Sequence, residues 1–303
     1  MSAAAEEDDV IFCASCGVRG SDDIKLKRCA CKLVKYCSVK CQKEHRPKHK
    51  RECKKRVAEL RDELLFLQPE GSCFGDCPIC CLPVSIEQSE SVLMSCCSKY
   101  ICQGCDLSNR IREYEGRLQH TCPFCREAVS STDEEHYERL MKRIEVNDPV
   151  AMCKMGTKKQ QEGDYNSAFE YWTKAAALGD AAAHFQLSCL YQKGIGVEKD
   201  EKKLLHHTEQ AAIGGHPDAR NNLGWLEEKN GRVDRAAKHF IIAAKLGYDK
   251  SLHNIKELYK EGHISKEDFN AALRSYQAAI NSTKSPQREA VLSMEAASEF
   301  YNS

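Results

Sequence analysis

No stretch of the 303 residues approaches the ~20 consecutive uncharged apolar positions that a membrane-spanning helix needs, so a soluble chain is expected. Charge of one sign is also missing. Forty-five Lys and Arg are matched by 45 Asp and Glu, which argues against a whole-chain nucleic-acid binder. Residues 1–10 are small and acidic and lack the apolar core of a secretion signal. The expected setting is therefore a reducing compartment, cytoplasmic or nuclear.

What the chain has in quantity is cysteine, 19 in all. Fifteen of them, with one histidine, fall into two arrays. The first runs Cys13-x2-Cys16, Cys29-x-Cys31, Cys37-x3-Cys41 and His49-x3-Cys53. The second runs Cys77-x2-Cys80, the doublet Cys96-Cys97, Cys102-x2-Cys105 and Cys122-x2-Cys125. Pairs one to three residues apart can grip a tetrahedral ion, and eight ligands per array make two ions per array the natural count, four Zn2+ in total. Disulfides are the rival use of so many cysteines; the reducing setting favours zinc thiolates.

Basic charge is concentrated on the first array. Between Cys13 and Arg56 stand fifteen Lys and Arg side chains against Asp22, Asp23, Glu44 and Glu52, a net of +11. No aromatic ladder accompanies the charge, so compensation of clustered thiolates is a better reading than a nucleic-acid groove. Ile24, Leu26, Leu33, Val34, Tyr36 and Val39 are too few to hold a forty-residue module together. Zinc, worth on the order of 10–16 kcal/mol in comparable peptides, supplies what the core cannot.

The run Cys37-Ser38-x-x-Cys41-Gln42 followed by His49-Lys50-x-x-Cys53 resembles the MYND zinc finger over residues 13–53. The resemblance implies alternating pairs, with Cys13, Cys16, Cys37 and Cys41 on one zinc and Cys29, Cys31, His49 and Cys53 on the other. His45 is then a surface residue. Cys29-x-Cys31 is one residue tighter than the family's usual pair, and Arg46 stands where the family commonly has the Trp of its peptide groove. MYND fingers also occur in methyltransferases that carry a SET domain, and no such stretch is recognised here.

Val57, Leu60, Leu64 and Leu65 recur at helical spacing, so residues 54–67 read as a spacer helix ended by Gln68-Pro69-Glu70-Gly71. Beyond it, Cys77-Pro78-Ile79-Cys80 and Cys122-Pro123-Phe124-Cys125-Arg126 resemble the two outer knuckles of a RING finger. Lys99 occupies the usual histidine ligand position. The all-cysteine variant of the family uses a thiolate five residues before the fifth ligand, where Cys97 stands, with Cys96 as third ligand. Cross-bracing would join Cys77, Cys80, Cys102 and Cys105 at one zinc and Cys96, Cys97, Cys122 and Cys125 at the other, with Cys81 and His120 as alternatives to Cys96. RING fingers position a ubiquitin-conjugating enzyme and contain no catalytic acid, base or nucleophile. The family's contact positions fall on Ile79, Pro123 and Arg126, and a planar guanidinium suits the bridging role. Shaping of the zinc knuckles is the alternative role for all three.

From Asp148 onward the sequence repeats. Ala175-Ala176-x-Leu178-Gly179, Ala211-Ala212-x-Gly214-Gly215 and Ala243-Ala244-x-Leu246-Gly247 mark three unit ends. Small residues let paired helices approach, and the glycine closes the second helix. Met155, Leu187, Leu223 and Ile255 are expected to be equivalent core positions. Tyr191-Gln192-Lys193-Gly194-Ile195-Gly196-Val197 and the following Asp200 resemble Sel1-like repeats of the tetratricopeptide type, which implies a surface for partner proteins. His184, His206, His207 and His239 read as packing or surface residues, and Cys153 and Cys189 as buried thiols.

The expected architecture is multidomain, two small zinc-stabilised α/β fingers followed by an all-α repeat solenoid. Its parts are an acidic, disordered 1–12, a MYND-type finger 13–53, a helical spacer 54–72, a RING-type finger 73–127, a linker helix 128–147, repeats 148–280 and a tail 281–303. Two functions remain open. One is a RING-type ubiquitin ligase that recruits a conjugating enzyme through its second finger and a target through its repeats. The other is a non-enzymatic scaffold whose fingers only bind partner proteins. Neither a nucleic acid nor a membrane is an expected partner.

Overall fold

The computed structural model describes residues 12–291 and Ser293; the expectation for the acidic start, Phe12 excepted, and about half of the one for the tail therefore lie outside the described residues. The chain forms two compact units, Met1–Leu67 and Gln68–Ser303.

In the first unit, β1 (Lys27–Arg28) and β2 (Lys35–Tyr36) pair antiparallel, Lys27 opposite Tyr36. A 27-residue helix, α1 (Val39–Leu65), follows, capped where Ser38 Oγ accepts from the Cys41 N–H at 3.2 Å. The separate spacer helix expected from residue 54 does not exist, because one helix runs through both segments. Its first half has no apolar stripe and encloses Pro47. What it does have is His49 and Cys53 one turn apart, on one face. Buried side chains here are mainly Cys13, Cys31, Tyr36, Cys41 and His49, whereas Ile24, Leu33 and Val39 are exposed. The candidate ligands are thus the core.

The second unit opens with a small finger. Its β3 (Ser91–Met94) and β4 (Lys99–Cys102) form a hairpin, with Met94 opposite Lys99 and Ser91 opposite Cys102. The doublet Cys96-Cys97 therefore sits in the hairpin turn. Helix α2 (Gln103–Glu115) leaves directly from the end of β4. After α3 (Asp133–Glu145) come eight helices: α4 (Pro149–Gln161), α5 (Tyr165–Ala177), α6 (Ala181–Lys193), α7 (Glu201–Ile213), α8 (Pro217–Lys229), α9 (Val233–Lys245), α10 (Asp249–Lys260) and α11 (Lys266–Ser282). Asp148, Asp164, Asp180 and Asp200 each cap a helix by accepting backbone N–H groups. Residues 286–291 add a last helical turn and a half.

Met155, Leu187, Leu223 and Ile255 are all buried, as are the alanine pairs at 175–176, 211–212 and 243–244. One register further along, size is traded across each helix pair. A Cβ on Gly156 would lie 2.6 Å from Trp172 Nε1, and one on Gly224 would lie 2.5 Å from Phe240 Cε1. In the middle repeat the equivalent positions are Ser188 and Thr208, both buried. A bulky ring on the second helix is matched by no side chain on the first, and a medium residue by a medium one.

Finger and repeats are joined within this unit. The Cys73 N–H donates to the Gly215 carbonyl at 3.2 Å. Gly215 has φ +83°, and a Cβ there would stand 2.6 Å from the Gly71 carbonyl, so both the turn and the close approach require glycine. Phe74 lies edge-on to Tyr100 and tilted against His216, which stacks on Phe185 at 4.2 Å between centroids. Burial pushes the Cys73 thiol up to about 12 and lowers His216 to about 4. Both side chains are therefore neutral where the modules meet.

Candidate metal centres

Sixteen side chains meet in four groups: Cys13, Cys16, Cys37 and Cys41; Cys29, Cys31, His49 and Cys53; Cys77, Cys80, Cys102 and Cys105; Cys96, Cys97, Cys122 and Cys125. Within each group all ligand atoms lie within 4.8 Å of one another. Sulfur pairs such as Cys16–Cys37 at 3.6 Å, Cys29–Cys53 at 3.5 Å, Cys80–Cys102 at 3.9 Å and Cys96–Cys125 at 3.4 Å have a common scale. A tetrahedral zinc with Zn–S near 2.3 Å separates its sulfurs by about 3.8 Å, whereas a disulfide holds them at about 2.0 Å. Every cysteine is free of disulfide bonding.

The donor set fits zinc electrostatically as well. Four thiols at such distances cannot all ionise on their own. Its neighbours Cys16 and Cys41 push the Cys37 thiol up to about 12, and burial with Cys29 raises Cys53 to about 11. A divalent cation removes that conflict by pairing with all four thiolates. His49 fits the same reading: its Nε2 is 3.1 Å from Cys31 Sγ, while its Nδ1 faces Glu52 at 3.5 Å, the carboxylate support common behind metal-bound imidazoles.

Local backbone geometry explains how short spacings make these groups. Gly17, Lys32, Cys81 and Arg126 each follow the second cysteine of a pair, and each has positive φ, between 56° and 72°. Their N–H groups fold back onto the carbonyls of Cys13, Cys29, Cys77 and Cys122 at 2.8 to 2.9 Å. These are four equivalent knuckles. The Cys29-x-Cys31 pair closes the same turn with one residue fewer. Only the first of these positions is glycine; the others carry a strained left-handed residue.

The reserve ligands are placed elsewhere. Cys81 is an exposed turn residue, and His120 Nδ1 is bonded to Glu113 Oε2 at 2.9 Å. His45, too, lies outside the groups, bonded through Nδ1 to the Tyr36 hydroxyl at 3.0 Å. Of the three candidate partner contacts, Ile79 is exposed at 41% and Arg126 is exposed with one nitrogen 3.3 Å from Asn109 Oδ1. Pro123 is buried, and its rigid φ serves the knuckle.

Glu113 escaped the sequence reading. Buried on α2, it accepts from the Thr121 hydroxyl at 2.6 Å, the Thr121 N–H at 3.2 Å and His120, and so ties the helix to the last knuckle. Burial works to raise its pKa, but those hydrogen bonds hold it down at about 2. The signal was a carboxylate on a helix face otherwise facing the finger core. His184 and His207 share one hydrogen bond at 2.9 Å. Burial lowers both, His207 to about 4, as suits neutral packing residues.

Comparison with known proteins places two of these modules. The family model described as MYND finger matches residues 13–53, and that described as Sel1 repeat matches 149–180, 181–216 and 217–248. The chain therefore contains a MYND finger and three Sel1 repeats; residues 73–127 lie outside both matches. α10 and α11 add a fourth helix pair beyond the matched repeats. DAP3-binding cell death enhancer 1 of Mus musculus is 23% identical over 196 residues, covering 52% of this chain and 38% of that protein. Histone-lysine N-methyltransferase SMYD3 of Homo sapiens is 64% identical over 31 residues, 10% of this chain and 7% of that one. A crystal structure of a Sel1 repeat protein from Oxalobacter formigenes gives a TM-score of 0.42 at 21% identity, covering 57% of this chain and 71% of that one. The chain spans less than two-fifths of the length of the mouse relative it matches.

A MYND finger, further clusters of metal-binding side chains and Sel1 repeats, which generally mediate protein–protein interaction, define a modular zinc-binding interaction protein.

Proposed function

We infer that the chain holds four zinc ions, two in each finger, and that its second finger is a cross-braced RING-type module serving a ubiquitin ligase. The observation that carries this reading is the interleaving of the eight cysteines of the second array, with Cys77 and Cys80 joined by Cys102 and Cys105 while Cys96 and Cys97 are joined by Cys122 and Cys125. The exposed Ile79 and Arg126 stand on the two outer knuckles, where the family meets its conjugating enzyme. The chemistry would be positioning alone, so the absence of any acid–base pair from the reading is no obstacle. Four protein ligands per site give structural zinc with no open position for water. The repeats supply the surface for a target, in a reducing cytoplasmic or nuclear setting.

A second reading has its own support. The burial of Pro123 and the Arg126–Asn109 hydrogen bond favour a non-enzymatic scaffold, because they spend on the finger's own structure two of the three contacts a ligase would use. Incubation of the purified chain with a ubiquitin-charged conjugating enzyme separates the readings. Faster ubiquitin discharge than without the chain, lost in Ile79→Ala and weakened in Arg126→Ala, supports the ligase. Discharge that neither substitution changes ends it and leaves the scaffold.

A further inference from the structure

The second finger's first zinc group has a neighbour from the far end of the chain. Arg288, in the helical stretch 286–291, places Nη2 at 3.5 Å from Cys80 Sγ and 3.3 Å from the Leu82 carbonyl, and Nη1 at 2.7 Å from the Pro83 carbonyl. The same Nη1 donates to the Thr283 carbonyl at 2.7 Å, which fixes the guanidinium to its own end of the repeat arm. Close backbone approach supports the contact. A Cβ on Gly104, the second residue of α2 and the one just before Cys105, would stand 2.7 Å from the Arg288 backbone nitrogen and 2.8 Å from the Gln287 carbonyl carbon. The joint has no room for a side chain at residue 104.

Four thiolates around one Zn2+ leave a net charge of −2 in a largely dry core. A hydrogen bond from a guanidinium to a ligand sulfur offsets part of that charge and fixes the orientation of the ligand. Arginine can do this while also holding two knuckle carbonyls, since its planar fork offers several donors at once. The knuckle and the end of the arm are thus held by one side chain 208 residues from Cys80.

We propose that Arg288 is a positioning residue for zinc at the Cys77, Cys80, Cys102 and Cys105 group, so that metal loading of the second finger and docking of the arm's end are one linked equilibrium. Whatever binds the docked form and not the undocked form stabilises it by mass action, and zinc is such a ligand only if the knuckle and Arg288 meet. This rests on the assignment of zinc to the second finger made above.

The test uses the full chain, with total zinc by elemental analysis and site-resolved thiol alkylation during exposure to a chelator. Arg288→Ala is expected to speed alkylation of Cys77, Cys80, Cys102 and Cys105 at least tenfold, on the order of the 10–100-fold effects of such outer partners, while Cys13, Cys16, Cys37 and Cys41 keep their rate. Arg288→Lys, a point charge without the fork, falls between. In the unmodified chain, hydrogen exchange should show residues 283–291 losing protection in step with 77–105 as zinc leaves. That measurement decides alone if Arg288→Ala does not fold. Equal alkylation rates in all variants, or segment 283–291 staying protected after the zinc has gone, overturn the linkage and leave the zinc assignment standing. A second finger that never holds zinc overturns both.

Discussion

Substituting Gly156 by alanine tests the packing logic of the repeats by the sign of its effect. At an exposed position inside a helix the change would stabilise by about 1 kcal/mol, because alanine is the better helix former. In α4 the new Cβ would meet Trp172 at 2.6 Å from Nε1, 2.7 Å from Cδ1 and 3.0 Å from Cε2. The ring cannot simply slide away. Trp172 is fully buried, and its Nε1–H donates to the Cys153 carbonyl at 3.2 Å. Overpacking of this kind costs about 1–3 kcal/mol, and loss of the hydrogen bond about 1 kcal/mol more. After the propensity gain, a net loss of about 1–3 kcal/mol remains, or roughly 2–12 °C in the melting temperature of a unit this size. Thermal melts followed by circular dichroism read the shift, and near-ultraviolet dichroism reads the indole. Trp172→Phe removes the indole nitrogen and the fused ring and so relieves part of the conflict, so the double variant should lose less than the sum of the singles. A higher melting temperature for Gly156→Ala, with strictly additive doubles, would refute the reasoning.

Three further outcomes follow from particular side chains. Glu113→Gln should weaken the second finger at neutral pH and flatten its acid sensitivity: the native carboxyl titrates near 2 against 4.5 unfolded, so its contribution is present above 4.5 and lost as pH falls toward 2. Hydrogen exchange of α2 across that range measures it. His216 is a base whose folded pKa is lowered from 6.5 to about 4. The unfolded chain therefore takes up the proton first, and a contribution of at most about 3 kcal/mol, full above 6.5, is lost as pH falls toward 4. A melting curve for His216→Gln that depends on pH between 7 and 5 as steeply as the unsubstituted chain would contradict this. Cys80→Ser should release zinc from the second finger, whereas Cys81→Ser should leave the metal content unchanged; equal losses in elemental analysis would show the knuckle to be wrongly read.

Much of this was legible because short-range geometry dictates it. A pair spaced Cys-x-Cys or Cys-x2-Cys can close only a few turns, and the residues after Cys16, Cys31, Cys80 and Cys125 take up the resulting left-handed strain. The repeat register was equally plain, since Met155, Leu187, Leu223 and Ile255 recur with the alanine pairs. The first half of α1 was not legible: its ligands and charges stand where an apolar stripe would be, and Pro47 argues locally against a helix. The docking of the second finger on the repeats was invisible for another reason. It runs through carbonyls of Gly215, Leu82 and Pro83 and one arginine in a polar tail, groups whose pairing leaves no pattern in sequence. The burial of Pro123 was not legible either, because its family position says nothing of how deeply this knuckle is packed.

Native mass spectrometry of the reduced full chain tests the central claim most directly. Four bound zinc ions are predicted, with the fifteen ligand cysteines resistant to alkylation until a chelator is added, while Cys81 reacts at once. A folded chain carrying two zincs or fewer, with Cys77, Cys80, Cys102 and Cys105 freely alkylated or joined as disulfides, would contradict the account.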